Sequence, residues 1–173
     1  HPALHAQYAC GDNYSHPACW YDPSNYCGGT MCDESGQGTY AAGILVGDDG
    51  GTNQIGMAPA ANWIACKACT SGGGCPEADL NACADWILAP NSSPNNRPHI
   101  VHSGWTGASC DNWYLPKVQA WRASGIFPVF GAGNGGPACS SLRSPGDYQE
   151  SFSTAAVAST GIVASFSSRG PSC

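Results

Sequence analysis

Charge is scarce in this chain. Asp, Glu, Lys and Arg make up 10% of its 173 residues, and only six are Lys or Arg against twelve Asp or Glu. A protein that grips nucleic-acid phosphates needs clustered cations, so nucleic acid is excluded as a partner. Long apolar runs are missing as well, and no membrane span is expected. No secretory leader is visible ahead of His1, which reads as the start of a processed or trimmed chain. The length fits one domain with a real core.

Cysteine, by contrast, is abundant, at eleven residues. Without an obvious metal motif, that number points to an oxidising, extracellular setting. All eleven are disulfide candidates: Cys10, Cys19, Cys27, Cys32, Cys66, Cys69, Cys75, Cys83, Cys110, Cys139 and Cys173. Proximity suggests Cys10 with Cys19 and Cys27 with Cys32, although connectivity does not follow from sequence. The odd count leaves at least one cysteine unpaired within the chain, and Cys173, with the least local constraint, is the expected one. Asn13 and Asn91 each begin an N-glycosylation sequon, which fits a secreted glycoprotein.

Residues 1–33 are rich in aromatic, Cys and turn residues and read as an irregular segment, stapled rather than packed, within a single domain over 1–173. His1, His5 and His16 lack a ligand-like spacing and read as surface polarity. The stretch Glu34–Gly47, ESGQGTYAAGILVG, has the build of a loop turning into a helix, with Thr39 as the expected cap. GDDGGTNQI, over 47–55, is a turn region. Asp48, Asp49 and Asn53 could offer oxygens to calcium there, but the spacing does not match an EF-hand loop, and a solvated turn is the plainer reading. No other cofactor is expected.

Trp63, Ile64 and Ala65 read as a short buried strand. Cys66, Cys69, Cys75 and Cys83 then surround a Gly-rich loop; zinc would need a second close pair and redox chemistry a helix start, so two disulfides stapling the loop to the next helix are expected. That helix runs near Pro76–Leu88, with Leu80, Cys83, Ala84 and Ile87 as its apolar stripe. HIVHS, over 99–103, reads as a buried strand, 113–124 as a helix with Tyr114, Val118 and Trp121 on one side, and 126–130 as the next strand. Segments 154–159 and 162–167 are expected to continue the same layout. Strand, loop and helix in alternation indicate a parallel α/β sheet with functional loops at the carboxyl ends of its strands.

Five stretches, in order, carry a family resemblance: SGQGTYAAG, IGMAPAANWIACK, HIVHSGWTG, GAGNGGP and the final FSSRGPS. Together they resemble the subtilisin-like serine proteases, in secreted, Cys-containing form. The resemblance implies a parallel, doubly wound α/β sheet of subtilisin type, incomplete here, with the first strand and the C-terminal part absent. It makes Gln37 the position of the family's general base, a His, and Tyr40 that of the motif's second His. It makes Asn134 the donor to the oxyanion. It gives substrate binding to Gly104, Trp105, Thr106 and Gly107 and to Gly131, Ala132 and Gly133, where backbone pairs with an extended peptide. The nucleophilic Ser and the orienting Asp are expected outside this chain.

An amide cannot take a proton near neutral pH, so Gln37 cannot act as general base. His102, at a strand end, has no evident nucleophile or acid to make it a substitute. The expectation is a secreted subtilase-like pseudoenzyme with a structural, assembly or peptide-binding role. The alternative is a fragment of an active subtilisin-like serine endopeptidase. Without the family's Asp strand, partners are expected to be copies of the chain or a second chain supplying strands, with a filament as one product.

Overall fold

Among the described residues, each strand that pairs within a sheet runs parallel to its neighbour. The computed structural model describes residues 1–53 and 55–173; Gln54, inside the expected turn at 47–55, lies outside the described residues. The chain forms two units, His1–Arg97 and Pro98–Cys173.

In the first unit, helix α1 (Pro2–His5) opens with Pro2 at a position that needs no N–H, while His1 Nδ1 accepts the Ala3 N–H at 3.2 Å. Strand β1 (Trp20–Tyr21) pairs with β2 (Ala65–Cys66), and Tyr8 bridges to Trp63 in the same sense. The N-terminal segment is therefore packed as well as stapled, contrary to expectation. Leu4, Tyr8 and Trp20 are buried. Trp63 Nε1 donates to the Leu4 carbonyl at 2.8 Å, and its ring lies 4.8 Å from that of Tyr8. Bulky aromatics spaced along a turn-rich segment gave burial without a periodic signal. Trp63, Ile64 and Ala65 are only half-buried.

Helix α2 spans Gln37–Val46 and α3 spans Glu77–Leu88. Glu77 and Asp79 occupy the first turn of α3, where the helix dipole favours negative charge. Asp79 does more than that. It is buried and accepts the Ser24 hydroxyl at 2.6 Å and the Tyr26 hydroxyl at 2.7 Å, fastening the N-terminal segment to the helix start. Cys10–Cys19 and Cys27–Cys32 are bonded as proximity suggests. Cys66–Cys83 ties β2 to α3, whereas Cys69–Cys75 closes the Gly-rich loop on itself rather than onto the helix.

The second unit holds a three-stranded sheet in the order β3 (Ile100–Ser103), β4 (Phe127–Gly131), β5 (Phe152–Thr154). Helix α4 (Leu115–Ala123) makes the crossover from β3 to β4, and Gly125, at φ 81°, ends it. Tyr114, Val118, Trp121, Ile126 and Phe130 form the buried core. β3 is not buried on both faces, as its apolar run suggested: Val101 and Ser103 point inward, while Ile100 and His102 are exposed. The layout also changes after β5. Val157 bridges Val163 in antiparallel sense around a turn with Gly161 at φ 78°, so segments 154–159 and 162–167 fold back on each other rather than continuing the parallel alternation.

Cys173 is not the unpaired cysteine; it is bonded to Cys110, and the exposed Cys139 is free. The backbone explains this. Ser140 N–H donates to the Gly170 carbonyl at 3.1 Å and Ser141 N–H to that of Arg169 at 3.0 Å, so segment 169–173 runs beside 139–141 towards Cys110. Alkylation of the native, non-reduced protein is expected to label Cys139 alone. A peptide map with the label on Cys173 would refute this pairing.

Candidate functional site

Gln37 stands at the first position of α2, preceded by Gly36 in the left-handed region at φ 72°. Its side chain is exposed and has no hydrogen-bond partner among the described residues. Thr39 is not the cap. It lies inside the first turn, and its N–H and hydroxyl donate to Asp33 Oδ2 at 2.6 and 2.7 Å. Both Thr and Asp are cap-forming types; the turn through Gly36 starts the helix three residues earlier and hands the task to Asp33. Tyr40, at the second His position, is 72% exposed.

Partial burial opposes charge on Asp33, but the two Thr39 donors, the Ser35 hydroxyl and the nearby Lys67 outweigh it, and the pKa falls below the ordinary Asp value. A depressed carboxylate pKa stabilises the fold above the unfolded-state pKa, and this contribution is lost as pH falls through the folded-state value. Asp33→Ala is expected to cost about 1 kcal/mol at pH 7, with the difference shrinking towards zero in acid. Denaturant unfolding from pH 7 to pH 3 checks this; a gap between the two proteins that does not change with pH would contradict it.

The other site residues lie in the second unit, at the carboxyl ends of the adjacent strands β3 and β4, where ligands of parallel sheets bind. After β3 the chain passes through Gly104 to Trp105, whose ring meets those of Tyr114 at 4.9 Å, Phe130 at 5.9 Å and Trp113 at 6.0 Å. Gly107 N–H donates to the Ser144 carbonyl at 2.7 Å. Segment 104–107 is thus held at both ends, while the N–H groups of Trp105 and Thr106 have no partner among the described residues.

Gly131, Ala132, Gly133 and Asn134 continue from the end of β4. Ala132 N–H donates to the Thr154 carbonyl at 2.8 Å, and its own carbonyl accepts the Arg143 N–H at 3.1 Å. Gly133 has φ 101°, and a Cβ there would lie 2.4 Å from Arg143 Cγ, so only glycine fits. Ser168 braces the loop from the other side: its N–H donates to the Gly133 carbonyl and its Oγ accepts the Gly135 N–H, both at 2.9 Å. Asn134 is left exposed on this rigid loop, its side chain without a partner among the described residues.

The FSSRGPS stretch therefore has a visible task. Ser167 and Ser168 are 1% and 3% exposed, and Ser167 Oγ accepts the Ala156 N–H at 3.1 Å. The motif was legible in sequence, but the bracing role of its two serines was not. Nothing in sequence marked Arg143.

His102 points outward from β3. Desolvation lowers its pKa, and no carboxylate or hydroxyl among the described residues orients it. Asp48 and Asp49 serve their own turn: Asp48 Oδ1 accepts the Gly50 N–H at 2.9 Å, Asp49 Oδ1 the Gly51 N–H at 2.8 Å and Asp49 Oδ2 the Asn53 amide at 3.0 Å. Asn13 and Asn91 are both exposed, Asn91 with φ 53°. No helix among the described residues is long and apolar enough to cross a membrane.

A chain of parallel strands crossed over by helices, with glycine-rich loops at the carboxyl ends of the adjacent strands β3 and β4, fits an α/β fold of subtilisin type. The Subtilase family model matches residues 1–173, and the chain belongs to that family. Bacillopeptidase F of Bacillus subtilis (strain 168) is 41% identical over 196 aligned residues, covering 99% of this chain and 13% of that protein. Serine protease AprX of the same organism is 30% identical, covering 80% of this chain and 35% of that protein. The solved structure of Sphericase superposes with a TM-score of 0.73 at 25% identity, covering 91% of this chain and 56% of that one. The chain spans less than half the length of the curated relatives it matches.

Proposed function

We propose that this chain belongs to an extracellular subtilase-family domain that binds extended peptides without hydrolysing them. Gln37 carries the reading. The family mechanism needs a group that accepts a proton from the nucleophile, and a carboxamide does not. Its peptide-binding part is supported by the N–H groups of Trp105 and Thr106, unpaired among the described residues, and by Asn134 exposed on its braced loop. Five disulfides support the extracellular setting, and the exposed Asn13 and Asn91 are its expected glycan acceptors. Titrating the full-length protein with labelled unstructured peptides tests this reading, with mass analysis of the peptide afterwards. Binding with the peptide intact is expected, whereas cleavage blocked by a serine-directed covalent inhibitor would overturn it.

The second reading is a portion of an active subtilisin-like serine endopeptidase with its Asp and Ser in other segments. The 41% identity to Bacillopeptidase F favours it. A third role, assembly, draws on β3 being an edge strand of its sheet. A strand from another copy or a second chain would pair there, and head-to-tail donation would build a filament. Native size measurement decides, and a compact monomer that survives dilution would rule assembly out.

A further inference from the structure

Arg143 differs from the other Lys and Arg side chains in having no partner among the described residues. Lys67 pairs with Glu34 at 2.7 Å, and Arg97 Nε donates to the Leu88 carbonyl at 3.0 Å. Arg122 lies 5.4 Å over the Phe127 ring, Arg169 Nη2 donates to the Ala164 carbonyl at 3.4 Å, and Lys117 is also engaged. Among the described residues, the Arg143 guanidinium alone has no carboxylate, carbonyl or ring partner, and the residue is exposed. Acidic residues outnumber basic ones twelve to six, so an unpaired guanidinium is not for want of carboxylates in the chain.

Its position is fixed. The Arg143 N–H donates to the Ala132 carbonyl at 3.1 Å, and its own carbonyl accepts the Asp147 N–H at 3.1 Å. Its stem runs along the Asn134 loop: Cβ and Cγ lie 2.9 and 2.4 Å from where a Gly133 Cβ would sit, and Nε lies 3.6 Å from where a Gly135 Cβ would sit. The two glycines flank Asn134, and their missing side chains make room for the stem. Asp147 does not take up the charge. It is buried, and its Oδ2 accepts the Cys110 N–H and the Ser144 hydroxyl, both at 2.9 Å. A planar fork of N–H donors thus stands unpaired beside the loop assigned to the peptide.

We infer that Arg143 determines ligand specificity by receiving a carboxylate of the peptide held at the Asn134 loop. The carboxylate is either an Asp or Glu side chain or the peptide's own C-terminus. Both fit the guanidinium bidentately. The inference rests on the peptide-binding reading above.

The test uses the full-length protein and fluorescence anisotropy with three kinds of labelled octapeptide. One is neutral with an amidated C-terminus. One is amidated and carries a single Glu moved along its central positions. The last is neutral but has a free C-terminal carboxylate. One carboxylate peptide is expected to bind about tenfold to a hundredfold more tightly than the neutral one. Which peptide gains identifies the source of the carboxylate. Arg143→Ala should remove the preference, Arg143→Lys should keep part of it, and Arg143→Glu should turn it towards a Lys-containing peptide. If the neutral peptide binds and no carboxylate improves on it, or if the preference survives Arg143→Ala, the role of Arg143 is overturned while peptide binding stands. If no peptide binds at all, both ideas fall. Circular dichroism of each variant guards against misfolding, and the three variants must agree.

Discussion

Replacing Gln37 with His in the full-length protein is expected to raise hydrolysis of an unstructured protein substrate about 10²- to 10⁴-fold, the usual contribution of a positioned general base. The position suits an imidazole, because Gln37 is exposed at the opening of α2 on a turn that Asp33 fixes. The gain should appear as pH rises through the imidazole pKa, about 6.5 when unperturbed, because only the neutral ring accepts a proton. The positive end of α2 disfavours the imidazolium and should move that midpoint lower. The parent protein should show no such pH limb. A parent that already cleaves at the variant's rate, stopped by a serine-directed inhibitor, would replace the non-hydrolytic reading with the endopeptidase one. A variant with no gain would show that residue 37 is not what holds hydrolysis back.

The largest effect on stability is expected at Trp121. Its ring is 1% exposed, edge-on to Tyr114 at 5.8 Å and stacked on Phe130 at 6.4 Å, so α4 is held to β4 largely through it. Trp121→Ala should cost about 3–5 kcal/mol, since neighbours fixed on a sheet and a helix cannot close the cavity. That is a large part of the stability of an ordinary domain. The half-buried Trp113 is the internal comparison, and Trp113→Ala should cost much less. Equal losses in denaturant midpoints for the two variants would mean that the core of this unit is not where the structure puts it.

How far the sequence could be read depended on whether a residue's role was local. Helix α3 and helix α4 fell within a residue or two of expectation. Their apolar stripes recur at helical spacing, and Pro76 and Gly125 punctuate them. The loops around Trp105 and Asn134 were legible because their motifs are contiguous. Roles set by the route of the chain were not legible. The Cys110–Cys173 bond joins residues 63 apart, brought together by the pairing of 140–141 with 169–170 and by the bonds from 108–110 to 142–147. Asp79 looks like a dipole partner until Ser24 and Tyr26 are seen to end on it. Asp33 and Thr39 are both plausible caps, and the backbone turn at Gly36 decides between them. Arg143 was invisible because its importance is an empty neighbourhood, and no local pattern encodes that.

The placement of Trp105 has an optical consequence. Its indole is half-buried, anchored to Tyr114 and Phe130 on one side and bordered by the exposed Gly104 and Thr106. A peptide laid along that segment would exclude water from the ring's open edge and shift its emission to the blue. Trp121, sealed in the same aromatic cluster, would stay nearly constant. If the segment holds a peptide as proposed, the share of the emission from Trp105, one of six tryptophans, would report occupancy without a label.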